Sequence, residues 1–412
     1  MLDINYIREH ADEVKTGAKN KNLDPKIIDQ LLSVDQQRRQ LIQKTEELRS
    51  ARNKLTKNDI DQGKKLKSQL KEIEPQLKDA ESKFMDLMLQ VPNPPATDVP
   101  IGSDESGNKV IKTWGDIPKF DFEPKPHQVL AENLDLYDSK RAVKIAGNRS
   151  YFLKGDLVML EQALLNYALQ KMIDLGFTPF TVPWMVNDVA MIGTGYFPWG
   201  QEDHFRTQDN QSLIGTSEVA VTAYHKDEIL SHKDLPIKMC GISPCFRREV
   251  GSYGKDTQGF IRLHQFNKVE MVVYTVADEE VTRQMHDQML GIAESLLQDL
   301  KLPYQVLLMC TGDMGAGQRR KYDIETWFPS QQKYRETHSD SYFNDFQARR
   351  LNIRYQDKDG TKKYVYTLNN TVAASPRLLA AIIENYQQPD GIIAVPSVLQ
   401  KLMGKSVING QS

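Results

Sequence analysis

The chain has 412 residues, of which 40% are apolar and 26% charged. This is the make-up of a globular protein of two or three domains, and it excludes a collagen-like, wholly disordered or small disulfide-stapled chain. The formal charge is −2, with 53 basic and 55 acidic residues, so a polyanionic partner has to meet a local patch. No run reaches the roughly 18 apolar residues of a membrane span. Met1 to Lys15 is charged throughout and lacks the apolar stretch of a secretory signal. Cys240, Cys245 and Cys310 are odd in number and form no C-x-x-C pair. That argues against a disulfide framework or a Cys-only zinc site and fits a reducing cytosol.

Residues 27 to 91 read as two helices. Ile27, Val34, Leu41, Leu48 and Leu55 recur every seven, with a diluted stripe of Leu31, Arg38, Thr45 and Arg52 between them. Leu66, Leu70, Ile73, Leu77, Ala80, Phe84, Leu87 and Val91 then alternate steps of four and three, the spacing of a coiled-coil seam. The polar stretch from Lys57 to Gly63 predicts a reversal, and the whole predicts an antiparallel two-helix arm. Pro75 predicts a kink or an early helix break. The distal end is basic: Arg49, Arg52, Lys54, Lys57, Lys64, Lys65, Lys67 and Lys71 are opposed only by Asp59 and Asp61. Such a run is usually a solvated face. On a projecting hairpin with a thin core it also suits a phosphate backbone.

Pro92 to Gly107 reads as an extended linker. We place the domain boundary at residues 100/101. Beyond it, strand-like and helical segments alternate as in an α+β domain. Leu157 to Leu175 predicts a strong helix with Leu157, Leu160, Leu164, Ala168 and Met172 inward. Gly176 ends it, and a strand through Phe180 to Met185 follows.

Three strand-like segments carry polar residues in a period-two register, so these share a face. They are Arg247 and Glu249; Phe266, Lys268 and Glu270; and Thr367, Asn369 and Thr371. A half-solvated sheet gives the same pattern. Together, however, they offer an anion clamp, an acceptor, a stacking ring and a second carboxylate, which suits a purine nucleotide beside an ammonium group. The connection from Val250 to Ile261 holds three glycines, too many for a tight hairpin, and predicts a mobile loop. A helix should start at Ser375, with Ser375 as N-cap and Pro376 in the first turn. Arg377 then sits where free amides already favour an anion. Glu336 and Ser339 are hard oxygen ligands close in sequence, a weak magnesium signal on spacing alone. His338 between them is given no chemistry of its own.

These residues resemble a known family. Cys245-Phe-Arg-Arg-Glu249 and Gly259-Phe-Ile-Arg-Leu-His-Gln-Phe-Asn-Lys-Val-Glu-Met271 resemble motif 2 of class II aminoacyl-tRNA synthetases, in the version of the seryl-tRNA synthetases. Gly215-Thr-Ser-Glu218 resembles that family's serine-binding element. Thr367-Leu-Asn-Asn-Thr371, with the helix from Ser375, resembles motif 3. The Leu157–Leu175 helix and Pro183 resemble motif 1, the family's dimer interface. Two departures stand out: Asn370 where many members have glycine, and Thr337-His338-Ser339 where many have Ile-Ser-Ser.

The resemblance implies an α+β fold: a class II synthetase-type antiparallel sheet of six or seven strands with flanking helices, plus an N-terminal coiled-coil arm that grips tRNA. It implies ATP contacts from Arg247, Arg248, Glu249, Phe266, Glu336, Thr337, His338, Ser339 and Arg377. Arg247 and Arg377 would be the catalytic pair, and Glu336 and Ser339 would hold Mg2+. Thr216, Ser217, Glu218, Arg247, Glu270, Asn369 and Thr371 would line a serine pocket. The implied activity is ATP-dependent formation of seryl-adenylate and transfer to tRNA(Ser), with tRNA(Sec) left open, by a cytoplasmic homodimer. The alternatives are an adenylate-forming ligase that serves a carrier protein, or a non-catalytic tRNA-binding paralogue. The basic arm argues against the first. The charged site residues argue against the second.

Overall fold

The structure, a computed structural model, describes residues 1–56, 58–250 and 259–410. Lys57 and residues 251–258 of the predicted loop lie outside them. The chain divides into two units between Pro94 and Pro95, a little before the boundary expected at 100/101.

The first unit is helical: α1 (Ile4–Glu9), α2 (Ala11–Asn20), α3 (Lys26–Asn53) and α4 (Ile60–Gln90). The long pair α3 and α4 is antiparallel. Near its base the Arg38 guanidinium lies 4.1 Å from the Phe84 ring centre. Further out, Arg49 pairs with Glu74 at 2.9 Å. The seam residues Leu66, Leu70, Ile73 and Ala80 are buried. The reversal comes earlier than expected. Asp59 accepts from both the amide and the hydroxyl of Thr56, at 2.8 and 2.6 Å, so α4 starts at Ile60 and Gly63 lies inside its first turn.

Of the two outcomes expected at Pro75, a kink or an early break, the break does not occur, because α4 runs through the proline. Pro75 faces solvent. The Lys71 carbonyl that it leaves without an amide partner can be met by water, while Ile73 and Ala80 stay in the seam. At the base, Asp35 is 1% exposed and is held by Arg8 in a two-pronged contact at 2.8 and 2.9 Å. Arg38 and Arg39 stand at 3.2 Å from it. This charge-assisted node ties α1 to α3.

Among the described residues, the second unit has an eight-stranded sheet. In chain order its strands are β1 (Lys109–Trp114), β2 (Thr178–Thr181), β3 (Ile237–Phe246), β4 (Gln265–Thr275), β5 (Tyr304–Leu308), β6 (Arg320–Phe328), β7 (Lys333–Asn344) and β8 (Tyr366–Ala374). Their spatial order is β1-β5-β6-β7-β8-β4-β3-β2. Every neighbouring pair is antiparallel except β2 with β3. The predicted Phe180–Met185 strand is therefore shorter. It ends at Thr181, and Met185–Val186 pairs separately with Ser212–Leu213. The linker's second half lies along this unit, with the Ala96 amide donating to the Arg319 carbonyl at 2.8 Å.

One sheet face is covered by α5 (Asp156–Asp174) and α6 (Glu279–Asp299). Leu157, Leu160, Leu164, Ala168 and Met172 of α5 are all fully buried. They pack with Val269, Met271 and Val273, which alternate along β4 with the polar residues of the other face. Two short helices, α7 (Phe346–Leu351) and, after β8, the longer α8 (Ser375–Asn385), complete the frame.

Candidate active site

The uncovered face of β4, β6, β7 and β8 opens into a cavity of about 680 Å³. Strand alternation puts Phe266, Lys268 and Glu270 of β4 in its wall, with Asn369 and Thr371 of β8 beside them. Arg247 and Glu249 reach it differently from expectation. β3 ends at Phe246, and Glu249 has a φ of 55°. The turn, rather than period-two register, brings the two residues together. Glu336 and Ser339 of β7 are three apart and would face opposite sides of a regular strand. An extra residue, Thr337, bulges opposite Ile324 and Glu325 and returns both to the cavity.

Cations and carboxylates are matched along the wall. At one end Arg377 lies 3.1 Å from the Glu336 carboxylate. Its Nη1 also donates to the Glu336 carbonyl at 2.7 Å, and its Nε donates to the Ile261 carbonyl at 3.3 Å. Burial opposes the Glu336 charge, but Arg377, then Lys321 and Arg247, hold its carboxyl at about 2. Arg262 meets Glu249 at 2.5 Å. Lys321 meets Asp323 at 2.9 Å, and Asp323 stands directly across the ladder from Ser339. The Arg247 guanidinium lies 5.2 Å from the Phe266 ring centre and donates through Nε to the Gly215 carbonyl at 3.2 Å.

At the other end Lys268 and Glu270 form a buried ion pair at 2.5 Å. The Thr371 hydroxyl donates to Glu270 Oε2 at 3.3 Å. Glu218 is pushed up to about 7 by burial, and next by the nearby Glu270 charge. Tyr196 and Gln347 donate to it at 2.9 and 3.0 Å. The short helix that carries Glu218 packs tightly on β3 because residue 241 is glycine. A Cβ there would lie 2.6 Å from Ser217 Oγ.

Four expected contacts do not line the cavity. The Thr216 hydroxyl accepts from the Glu218 amide at 3.2 Å, and Ser217 donates to the Gly241 carbonyl at 3.2 Å. Thr216 thus caps the Glu218 amide, and Ser217 ties the start of that short helix to β3. Arg248 is exposed and bonds the Glu202 carbonyl at 2.8 Å. His338 is buried against Thr337 and the Val372 carbonyl, at 2.9 and 3.0 Å. Burial lowers its ring to about 4. At α8, Ala374 rather than Ser375 is the N-cap, and Ser375 Oγ instead faces the Asn267 amide at 3.4 Å. Sequence reasoning placed Lys268 on this face with Phe266 and Glu270 but gave it no role, and it passed over Tyr196, Arg262, Lys321, Asp323 and Gln347, none of which carried a local signal. In the first unit Arg52, Lys54, Lys64, Lys65, Lys67 and Lys71 are exposed, as is Arg49 despite its pairing.

An antiparallel sheet whose open face lines one cavity with the Arg377–Glu336 pair, Arg247 and Phe266, and with the buried acids Glu218 and Glu270, is the frame of a class II aminoacyl-tRNA synthetase core. Residues 202–386 match the family model described as tRNA synthetase class II core domain (G, H, P, S and T). Residues 1–95 match that described as Seryl-tRNA synthetase N-terminal domain. The chain is 42% identical to serine--tRNA ligase of Deinococcus radiodurans, over 100% of this chain and 99% of the relative. The seryl-tRNA synthetase of Pyrococcus horikoshii, solved with ATP, superposes with a TM-score of 0.94 at 36% identity, covering 100% of both chains. The cytoplasmic serine-tRNA ligase of Naegleria fowleri, solved with AMP, gives 0.91 at 31% identity, covering 100% of this chain and 99% of that one. The chain belongs to the seryl-tRNA synthetase family.

Proposed function

We propose that this protein activates L-serine with ATP and transfers the seryl group to the 3′ end of tRNA(Ser). The observation that carries the reading is that one cavity holds Arg377 paired with Glu336, the buried acids Glu218 and Glu270 close to each other, and Arg247 near both Glu336 and Tyr196. ATP fits the end with Arg377 and Glu336; the Pyrococcus relative was solved with ATP. Phe266 stacks on the adenine, Glu249 accepts from its amino group, and the two arginines meet the phosphates. Serine fits the second end, among Glu218, Glu270, Asn369 and Thr371.

A serine carboxylate oxygen attacks the α-phosphorus in line. A new P–O bond forms as the bond to pyrophosphate breaks. A terminal hydroxyl of the tRNA then attacks the seryl carbonyl, and AMP leaves. Arg247 and Arg377 align the reactants and oppose the charge that develops on phosphate oxygens. Hydrogen-bonding acceptors in the serine pocket reject alanine because they would be left unpaired.

Glu336 and Ser339 present a carboxylate and a hydroxyl to the same end of the cavity, a donor set that fits Mg2+. Bound there, the ion would add positive charge beside the phosphates. The basic end of the arm grips the tRNA backbone. Val158 and Met159 of α5, with Trp184 and Met185 beyond β2, remain 38–53% exposed. We assign this apolar surface to a homodimer interface. Among the described residues no helix is long and apolar enough to cross a membrane. The proposed work on tRNA is the reason we place the protein in the cytoplasm.

The test is aminoacylation of total tRNA with radiolabelled serine. ATP-dependent labelling of acid-insoluble RNA is expected. Label that goes to a carrier protein instead, or ATP turnover with no charged RNA, would overturn the reading. Light scattering on the eluted protein checks for the dimer.

A further inference from the structure

Glu218 and Glu270 face the same end of the cavity but are held in different ways. Glu270 already has a cation, since Lys268 Nζ lies 2.5 Å from its Oε2. Glu218 is buried, and among the described residues no cation lies within ion-pair distance of it. Its two oxygens are met by neutral donors, the Tyr196 hydroxyl on Oε2 and the Gln347 amide on Oε1. The carboxylate without its own counterion is the one that an incoming ammonium group completes.

Gln347 is 1% exposed, on the first turn of α7. Its Nε2 donates to the Thr194 carbonyl and to Glu218 Oε1, both at 3.0 Å. Its Oε1 accepts from the Thr367 hydroxyl at 2.6 Å. A carbonyl and a carboxylate can only accept from the nitrogen, and Thr367 can then only donate to the oxygen, so the amide has one orientation. Thr367 is fully buried on β8, two residues before Asn369 in the pocket wall. A chain of three hydrogen-bonded side chains therefore runs from a sheet strand to the substrate-facing acid.

The geometry points to Gln347 as a positioning residue for amino-acid recognition: anchored by Thr367, it fixes the Glu218 carboxylate so that its remaining lone pairs face the ammonium group of the substrate. This rests on the reading of that end as the amino-acid pocket. Gln347 touches neither reactant and works only through Glu218. It should act on serine binding and leave ATP binding alone.

The test is ATP–pyrophosphate exchange with serine varied at fixed ATP, and the converse. Gln347→Met keeps the volume and removes all three bonds. A hydrogen bond to a charged group is worth roughly a 10- to 100-fold change in affinity, so the serine KM should rise by that factor while the ATP KM holds. Thr367→Val should raise the serine KM less. The double variant should be no worse than Gln347→Met alone, because both changes act on one chain of contacts. An unchanged serine KM, or serine and ATP KM rising in step, would overturn the inference. Should Gln347→Met fail to fold, Thr367→Val decides alone by the same criterion. Wild-type protein with no serine-dependent exchange would instead sink the reading of the site, a distinct outcome.

Discussion

Arg377 stands 3.1 Å from the carboxylate of Glu336, so the guanidinium assigned to phosphate and the carboxylate assigned to metal neutralise each other in the free protein. Nucleotide binding is then an exchange of partners. On the proposed function, the guanidinium would turn to phosphate and leave the carboxylate open to a cation. Arg377→Ala should lower kcat/KM for ATP by about 100- to 1,000-fold, the usual loss for a donor aimed at developing charge. Serine KM should stay as it is. Steady-state exchange kinetics check this, and an unaltered ATP kcat/KM would remove Arg377 from the site.

Glu270→Gln tests the opposite end. The amide keeps the shape but leaves Lys268 buried without its counterion. Serine KM should rise by about 100-fold or more, while calorimetry still detects ATP binding. Equal loss of both would contradict the division of the cavity into two ends.

The arm predicts salt dependence. Each exposed lysine that meets a phosphate adds about 0.7 to 0.9 to the slope of log affinity against log salt. Lys65→Gln with Lys67→Gln should flatten that slope and raise the tRNA KM. Deletion of residues 49–71 should do so more strongly and spare adenylate formation. Filter binding at several salt concentrations is the measurement, and an unchanged slope would detach the arm from tRNA binding.

Two buried groups give the stability opposite pH dependences. Burial lowers the His338 ring to about 4, so below its ordinary value near 6.5 the unfolded chain binds a proton that the folded chain refuses. Its contribution is full above pH 6.5 and is lost as pH falls towards 4. Glu218, raised to about 7, holds a proton in the folded chain that the unfolded chain gives up above about 4.5. Its contribution is full at low pH and is lost as pH rises through 7. His338→Gln should therefore flatten the acid loss of stability between pH 6.5 and 4.5, by up to about 1.4 kcal/mol per pH unit. Glu218→Gln should steepen it. Urea unfolding across that range decides, and the same slope in all three proteins would contradict the burial of these groups.

What could be read in the sequence was whatever repeats with the period of one element. Leu157, Leu160, Leu164, Ala168 and Met172 share a helical stripe, and all are buried. Phe266, Lys268 and Glu270 alternate along a strand, and all line the cavity. What escaped depends on broken periodicity or on distant partners. Glu249 reaches the cavity through a positive φ beyond the end of β3. Glu336 and Ser339 share a face only because Thr337 bulges. Asp35 looks like one more solvated charge of α3 until α1 folds Arg8 against it. Gln347 has no local signature, because its meaning lies in Thr194, Glu218 and Thr367. The early break weighed at Pro75 does not follow, because propensity penalises a proline without regard to which way it faces, and here it faces water.

The central claim, that this cavity joins serine to ATP, is tested most directly by pyrophosphate exchange with each of the twenty amino acids in turn, on wild-type protein and on Arg247→Ala. Exchange should depend on serine alone, and the arginine variant should abolish it. Exchange driven equally well by a different amino acid, or undiminished without the Arg247 guanidinium, would contradict the account.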